Sequence, residues 1–210
     1  IGFGEISLVE KVVGYKKIKF YTHENAGYGD VRLPEMQMHT TAFWLTVPEA
    51  VVAELEFGRA AAVDALRGIG LAFETCATLA LMCDPRDLGT TLGDAEPVPE
   101  EEGDGDGDGA ARFVPKKVMG GGPKYNPTLF VYEHVPGGTG LAERVYEERA
   151  TLLTRTLRLI ERCSCADGCP ACVGPVVSMT PPPNAPAIPA NDVAPPPAVS
   201  GYSRKATALT

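Results

Sequence analysis

Cys163, Cys165, Cys169 and Cys172 place four thiols within ten residues, in the spacing C-x-C-x3-C-x2-C. Thiols gathered this closely suit a metal ion, because zinc accepts four thiolates in a tetrahedron at about 2.3 Å each. Gly168 and Pro170 flank Cys169 and favour a tight turn that aims backbone amides at sulfur. Two disulfides are the other use of four cysteines. Cys163 and Cys165 are too close to pair comfortably, and crossed bridges would strain so short a segment. Four sulfurs also fill every coordination position, so the ion would be structural rather than catalytic. Iron–sulfur clusters take four cysteines too, but in wider or differently ordered spacings. The zinc deaminase pattern fails, since Pro170 follows its cysteine and His23 and Glu24 are adjacent. The expectation is one structural Zn2+ on Cys163, Cys165, Cys169 and Cys172.

Other groupings carry less chemistry. Gly137-Gly138-Thr139-Gly140 follows a strand pattern and precedes a helix pattern, a place where anions bind. It matches neither nucleotide-loop signature, and no lysine stands where a phosphate loop needs one. The glycines are better read as letting a helix start close to a sheet. His23, His39 and His134 are scattered and form no catalytic grouping. Asp84 and Asp87 could pair as carboxylates, but Asp-Pro and Asp-Leu-Gly are ordinary turn chemistry. Gly120-Gly-Gly-Pro-Lys124 also lacks a phosphate-loop pattern. No catalytic or cofactor-binding residues are assigned.

The elements that must position the cysteines can be read from periodicity. A helix is expected over about 141–160, with Leu141, Val145, Leu152, Leu153, Leu157 and Ile160 at helical spacing, running straight into Cys163. A strand over 128–135 precedes the glycine turn, and residues 36–47 form another, rich in β-branched and aromatic residues. Alternation in Ile6–Val9 and Lys17–Tyr21 predicts two strands joined as a hairpin near Gly14, followed by a loop around Gly27, Gly29 and Pro34. Pro48-Glu49 starts a helix. The Ala- and Leu-rich stretch 60–82 is expected as two helices broken at Gly68 and Gly70, with Cys76 and Cys83 as buried free thiols. The fold class is α+β: a small, mainly antiparallel sheet packed by helices, with a four-cysteine knuckle and a disordered tail.

The chain has 210 residues and a net charge of −8. Residues 94–109 carry eight acidic groups and no Lys or Arg, so the rest is neutral. A solvated, disordered insertion over about 94–112 is expected; it lacks the closing glutamate of a calcium loop. Residues 181–197 hold eight prolines, which favours an extended tail over 176–210. The residues before it, 1–175, form the expected domain. No apolar run is long enough to span a membrane, and cysteines clustered for metal point to a reducing, cytoplasmic setting. A chain beginning with Ile is expected to be a fragment of a longer protein.

Several segments fall in the order of a known family. They are His39-Thr-Thr-Ala-Phe-Trp44, Cys83-Asp-Pro-Arg-Asp-Leu-Gly89, Val131-Tyr-Glu-His-Val-Pro-Gly-Gly-Thr-Gly-Leu-Ala-Glu-Arg144 and the cysteine cluster. Together they resemble the C-terminal zinc-binding domain of DEAD/DEAH-box (DExH) superfamily 2 helicases of the mitomycin-repair type, a domain of unknown function. The resemblance spans about residues 5–175 and carries the family's metal ligands onto the same four cysteines. It implies a parent ATP-dependent DNA helicase acting in DNA repair, with DNA and the motor domains as partners. Lys16, Lys17, Lys19, Arg32, Lys116, Lys117, Lys124, Arg155 and Arg158 are then candidate phosphate contacts. No Walker A motif, DExH box or arginine finger is present, so ATP and Mg2+ belong to motor domains outside these residues. Many relatives carry Asp where Glu133 stands, a mild change. Alternatives are a zinc-stabilised protein-interaction module using the knuckle and tail, and a stand-alone metalloenzyme with an open metal position.

Overall fold

A computed structural model describes residues 1–12, 14–95, 126–174 and 202–210. The expected acidic insertion, apart from its first two residues, and the expected tail up to residue 201 lie outside the described residues. An antiparallel sheet is built from β1 (Gly2–Glu10), β4 (Met36–Thr46), β6 (Asn126–Glu133) and β5 (Leu88–Ala95), in that spatial order. Two further strands, β2 (Gly14–Ile18) and β3 (Asn25–Asp30), form a separate two-stranded ribbon.

Four of the six strands fall where the sequence pattern places them, but the pairing differs from the expected hairpin. β1 pairs with β4, setting Phe3 opposite Phe43 and Leu8 opposite Met38, while β2 turns back on β3. Alternation tells which residues share a face and says nothing of which distant strand lies alongside. β1 is drawn to β4 by apolar partners, including the Trp44 indole lying across Gly2, where a Cβ would meet the ring at 2.4 Å. The stretch expected as a loop thus contains β3, and β5 was not expected at all.

Helices cover one face. α1 (Glu49–Glu54) leads to α2, a single helix of 24 residues from Gly58 to Leu81. The expected break at Gly68 and Gly70 is absent. Both glycines are helical and buried because neighbours come too close for a side chain. A Cβ at Gly70 would lie 2.8 Å from Leu129 Cδ1, and one at Gly68 would lie 2.7 Å from Val173 Cβ. Here the roughly 1 kcal/mol that glycine costs a helix is offset by contact. Phe43 stacks on Phe73 at 5.5 Å, within a core that also holds Ala77, Leu81, Leu88, Val131, Val145 and Leu152.

The expected helix 141–160 appears as α3 (Leu141–Glu147) and α4 (Arg149–Arg162), bent at Glu148 without a loop between them. Leu157, placed on the buried face by its spacing, is 43% exposed, so only the Leu152–Thr156–Ile160 stripe of α4 is fully buried. The end of the expected tail is ordered: Arg204–Leu209 form α5, capped by Ser203 Oγ accepting from Ala206 N at 3.2 Å. Cys76 and Cys83 are half-buried rather than buried. Among the described residues no helix is long and apolar enough to cross a membrane.

Candidate metal centre

α4 ends at Arg162, and Cys163 follows in extended conformation (φ −68°, ψ 130°), so the helix delivers the first thiol directly. The chain then folds back through Cys169-Pro-Ala-Cys172. Cys172 N and Gly174 N both donate to Cys169 O, at 3.0 and 2.9 Å. Gly168 sits at φ +132°, and a Cβ there would lie 2.6 Å from the Gly174 carbonyl oxygen, so only glycine fits.

This turn brings the four sulfurs together. Cys163 Sγ lies 3.5 Å from Cys169 Sγ, Cys165 Sγ 3.4 Å from Cys172 Sγ, and Cys169 Sγ 3.8 Å from Cys172 Sγ. All four lie within 4.8 Å of one another. A zinc ion with sulfur at about 2.3 Å sets the edges of its tetrahedron at about 3.8 Å, so the donor set and its spacing fit one four-coordinate ion. The expected amide-to-sulfur contact is present, with Cys169 N donating to Cys172 Sγ at 3.4 Å. The Cys165 amide, and then the neighbouring thiols, draw the Cys163 thiol down to about 7. Burial, then its thiol neighbours, pushes Cys165 up to about 12.

The cluster is anchored on two sides. Cys172 and Val173 are buried against Ala72 of α2 and Ile160 of α4. On the other side α5 closes over it. Lys205 Nζ donates to the carbonyls of Cys163 and Cys165, at 2.5 and 3.0 Å, and Arg204 Nη1 donates to Val173 O at 3.3 Å. Arg204 also grips the fully buried Asp64 of α2 through Nε at 2.7 Å and Nη2 at 2.5 Å. Tyr202 Oη donates to the same carboxylate at 2.7 Å, and burial followed by that carboxylate pushes its own pKa up. Neutralising Asp64 by an aligned, bidentate guanidinium is what permits a carboxylate at this depth.

The glycine turn is closed to an outside anion because a carboxylate of the chain already fills it. Glu133, at the end of β6, is fully buried. It accepts from Thr139 N, from Thr139 Oγ1 at 2.6 Å, from Ala142 N at 2.9 Å and from Thr41 Oγ1 at 2.8 Å. Burial alone would raise its pKa, but these donors outweigh burial and hold the carboxyl below its ordinary value of 4.5. Gly138 packs its backbone against Thr41 and Glu133 at φ +76°, which requires glycine. The helix does start close to the sheet, as expected, and Glu133 is the tie.

Asp84 and Asp87 make turn chemistry, with Asp84 N donating to Asp87 Oδ2 and Arg86 N to Asp84 Oδ1. His39 and His134 border one open groove beside Tyr132, while His23 lies in the β2–β3 turn. Among the described residues no other group of His, Cys, Asp or Glu gathers as the four cysteines do. Sequence reasoning missed Asp64 and gave Glu133 no role. Their signal was a lone acid inside an apolar run, as in Ala-Val-Asp64-Ala-Leu and Phe-Val-Tyr-Glu133.

Residues 69–173 match the MrfA Zn-binding domain family. The chain is 31% identical over 172 residues to the uncharacterized ATP-dependent helicase YprA of Bacillus subtilis (strain 168), covering 82% of this chain and 19% of the helicase. A 50-residue stretch is 44% identical to an uncharacterized protein of Methanocaldococcus jannaschii, covering 24% of this chain and 45% of that protein. The crystal structure of the DUF1998 helicase MrfA bound to DNA is similar with a TM-score of 0.52 and 28% identity, over 82% of this chain and 19% of MrfA. The chain therefore spans a small part of the helicases it matches. The matched segment runs from the middle of α2 to the residue after Cys172, and the chain belongs to the MrfA Zn-binding domain family.

Proposed function

We propose that this chain is the zinc-clasped C-terminal accessory domain of a DEAD/DEAH-box ATP-dependent DNA helicase working in DNA repair. The observation that carries the reading is the convergence of Cys163, Cys165, Cys169 and Cys172 in a chain of a zinc-binding family. These four cysteines would hold one Zn2+, which when bound supplies a closed cross-link with no open coordination position. Cys163 terminates α4 and Cys172 packs on α2, so the four thiolates join α4 to α2, the helix that lies on β5 and β6. The domain comprises residues 1–175 together with α5, which packs on the knuckle from the far end of 176–210.

Its task is to hold or guide DNA, or to brace the motor. Similarity to a helicase bound to DNA supports the nucleic-acid role. Nucleotide chemistry is assigned to motor domains of the parent protein, since these residues contain no loop for ATP and Mg2+. The test is DNA affinity of the 210-residue chain across a salt series. Affinity that falls linearly on a log–log plot supports phosphate contact. No binding at low salt restricts the domain to bracing.

A further inference from the structure

We infer that the β2–β3 ribbon is a stacking platform for single-stranded DNA, an inference that rests on the helicase-domain reading. The ribbon stands apart: its two strands pair with each other and with no strand of the four-stranded sheet. At its tip Phe20 is 85% and Tyr21 90% exposed. Rings of this size ordinarily dominate cores and interfaces, and two adjacent ones left in water mark a contact surface.

The turn holds them outward. Lys19 N donates to Glu24 O at 2.9 Å, His23 N donates to Lys19 O at 3.1 Å, and His23 takes φ 55°, closing a compact loop around residues 20–22. Lys19 and Glu24 also pair through their side chains at 2.8 Å. The rings of Phe20 and Tyr21 meet edge to face at 5.2 Å and 86°, so each presents a separate flat face. Below them Tyr15 lies flat across Gly29, where a Cβ would meet the ring at 2.5 Å, with Lys17 Nζ 5.8 Å from the ring centre.

Charge selects the partner. Lys16 and Lys17 are exposed on β2, and Lys19, exposed beside them, is paired with Glu24. Interleaved lysines and aromatics are what a single strand needs: cations for phosphates and rings for unpaired bases, whatever their sequence. Bases in a duplex are already stacked on their neighbours and offer no such face along its length.

The test uses the 210-residue chain with a labelled oligothymidine and a duplex of equal length, read by fluorescence anisotropy. Phe20→Ala/Tyr21→Ala should weaken single-strand binding by about tenfold or more while duplex binding changes little. Lys16→Gln/Lys17→Gln should lower the magnitude of the single-strand salt slope by about one. Melting temperatures should stay unchanged, because no core packs on the ribbon. Unchanged single-strand affinity in the aromatic variant overturns the inference and leaves the helicase-domain reading standing. So does an equal loss on both DNAs. No DNA binding by the unaltered chain overturns this inference together with the DNA-handling role.

Discussion

The glycine turn and the cysteine knuckle are two solutions to one problem. In each, glycines fold the chain so tightly that polar groups converge on a point. At the turn, two amides and two hydroxyls converge on Glu133, which the chain supplies from β6. At the knuckle, four sulfurs within 4.8 Å of one another converge with the spacing of one four-coordinate ion. The first site satisfies itself and is a structural joint between sheet and helix. The second requires an ion, so its strength depends on metal supply. Convergence of donors therefore marks a ligand site only where the molecule does not already provide the ligand.

Metal removal should separate the two most sharply. Cys169→Ser, or a strong chelator, should cost more than about 5 kcal/mol of stability, since structural zinc is worth about 10–16 kcal/mol in small fingers. Hydrogen exchange should show residues 163–174 and α5 losing protection while the amides of Thr139 and Ala142 keep theirs. Equal loss at both sites would erase the distinction.

Next in size is the strap that closes the knuckle. Arg204→Met strands the Asp64 carboxylate and should cost about 3–5 kcal/mol by denaturant titration. Combined with Asp64→Asn, the two losses should fall well short of their sum.

Glu133→Gln should cost about 2–3 kcal/mol, because one of two fixed amides must then face an NH2 group. Its folded carboxyl lies below the ordinary 4.5, so its contribution is complete above that pH and is lost as pH falls through the folded value. The variant should be flatter over that acid limb, with no change in zinc content.

The smallest effect is a pair of glycine substitutions on α2. Gly68→Ala meets Val173 Cβ at 2.7 Å and the Val173 carbonyl at 2.9 Å, and should cost about 1–2 kcal/mol. Gly70→Ala meets only the movable tip of Leu129, and its helix-propensity gain of about 1 kcal/mol should bring it near neutral. Melting temperatures compare the two.

These contrasts also show what was legible in the chain. The cysteine spacing placed the candidate site because all its donors are local. β4, β6 and α1 were legible because their cues, β-branched runs and Pro48-Glu49, are local as well. Gly68 and Gly70 misled, since a helix break and a close contact look alike until Val173 and Leu129 are in place. The β1–β4 pairing and the Asp64–Arg204 pair, 140 residues apart, depend on tertiary structure that no window of sequence contains. Arg204 in particular was hidden in a proline-rich context that argued for a loose tail, yet its helix packs on the knuckle.

X-ray absorption at the zinc edge on the purified 210-residue chain, with metal content measured alongside, tests the central claim most directly. One zinc per chain with four sulfur ligands at about 2.3 Å and no oxygen or nitrogen is the predicted result. A protein that folds with the same melting temperature without metal, or a zinc bearing an oxygen ligand, would contradict it.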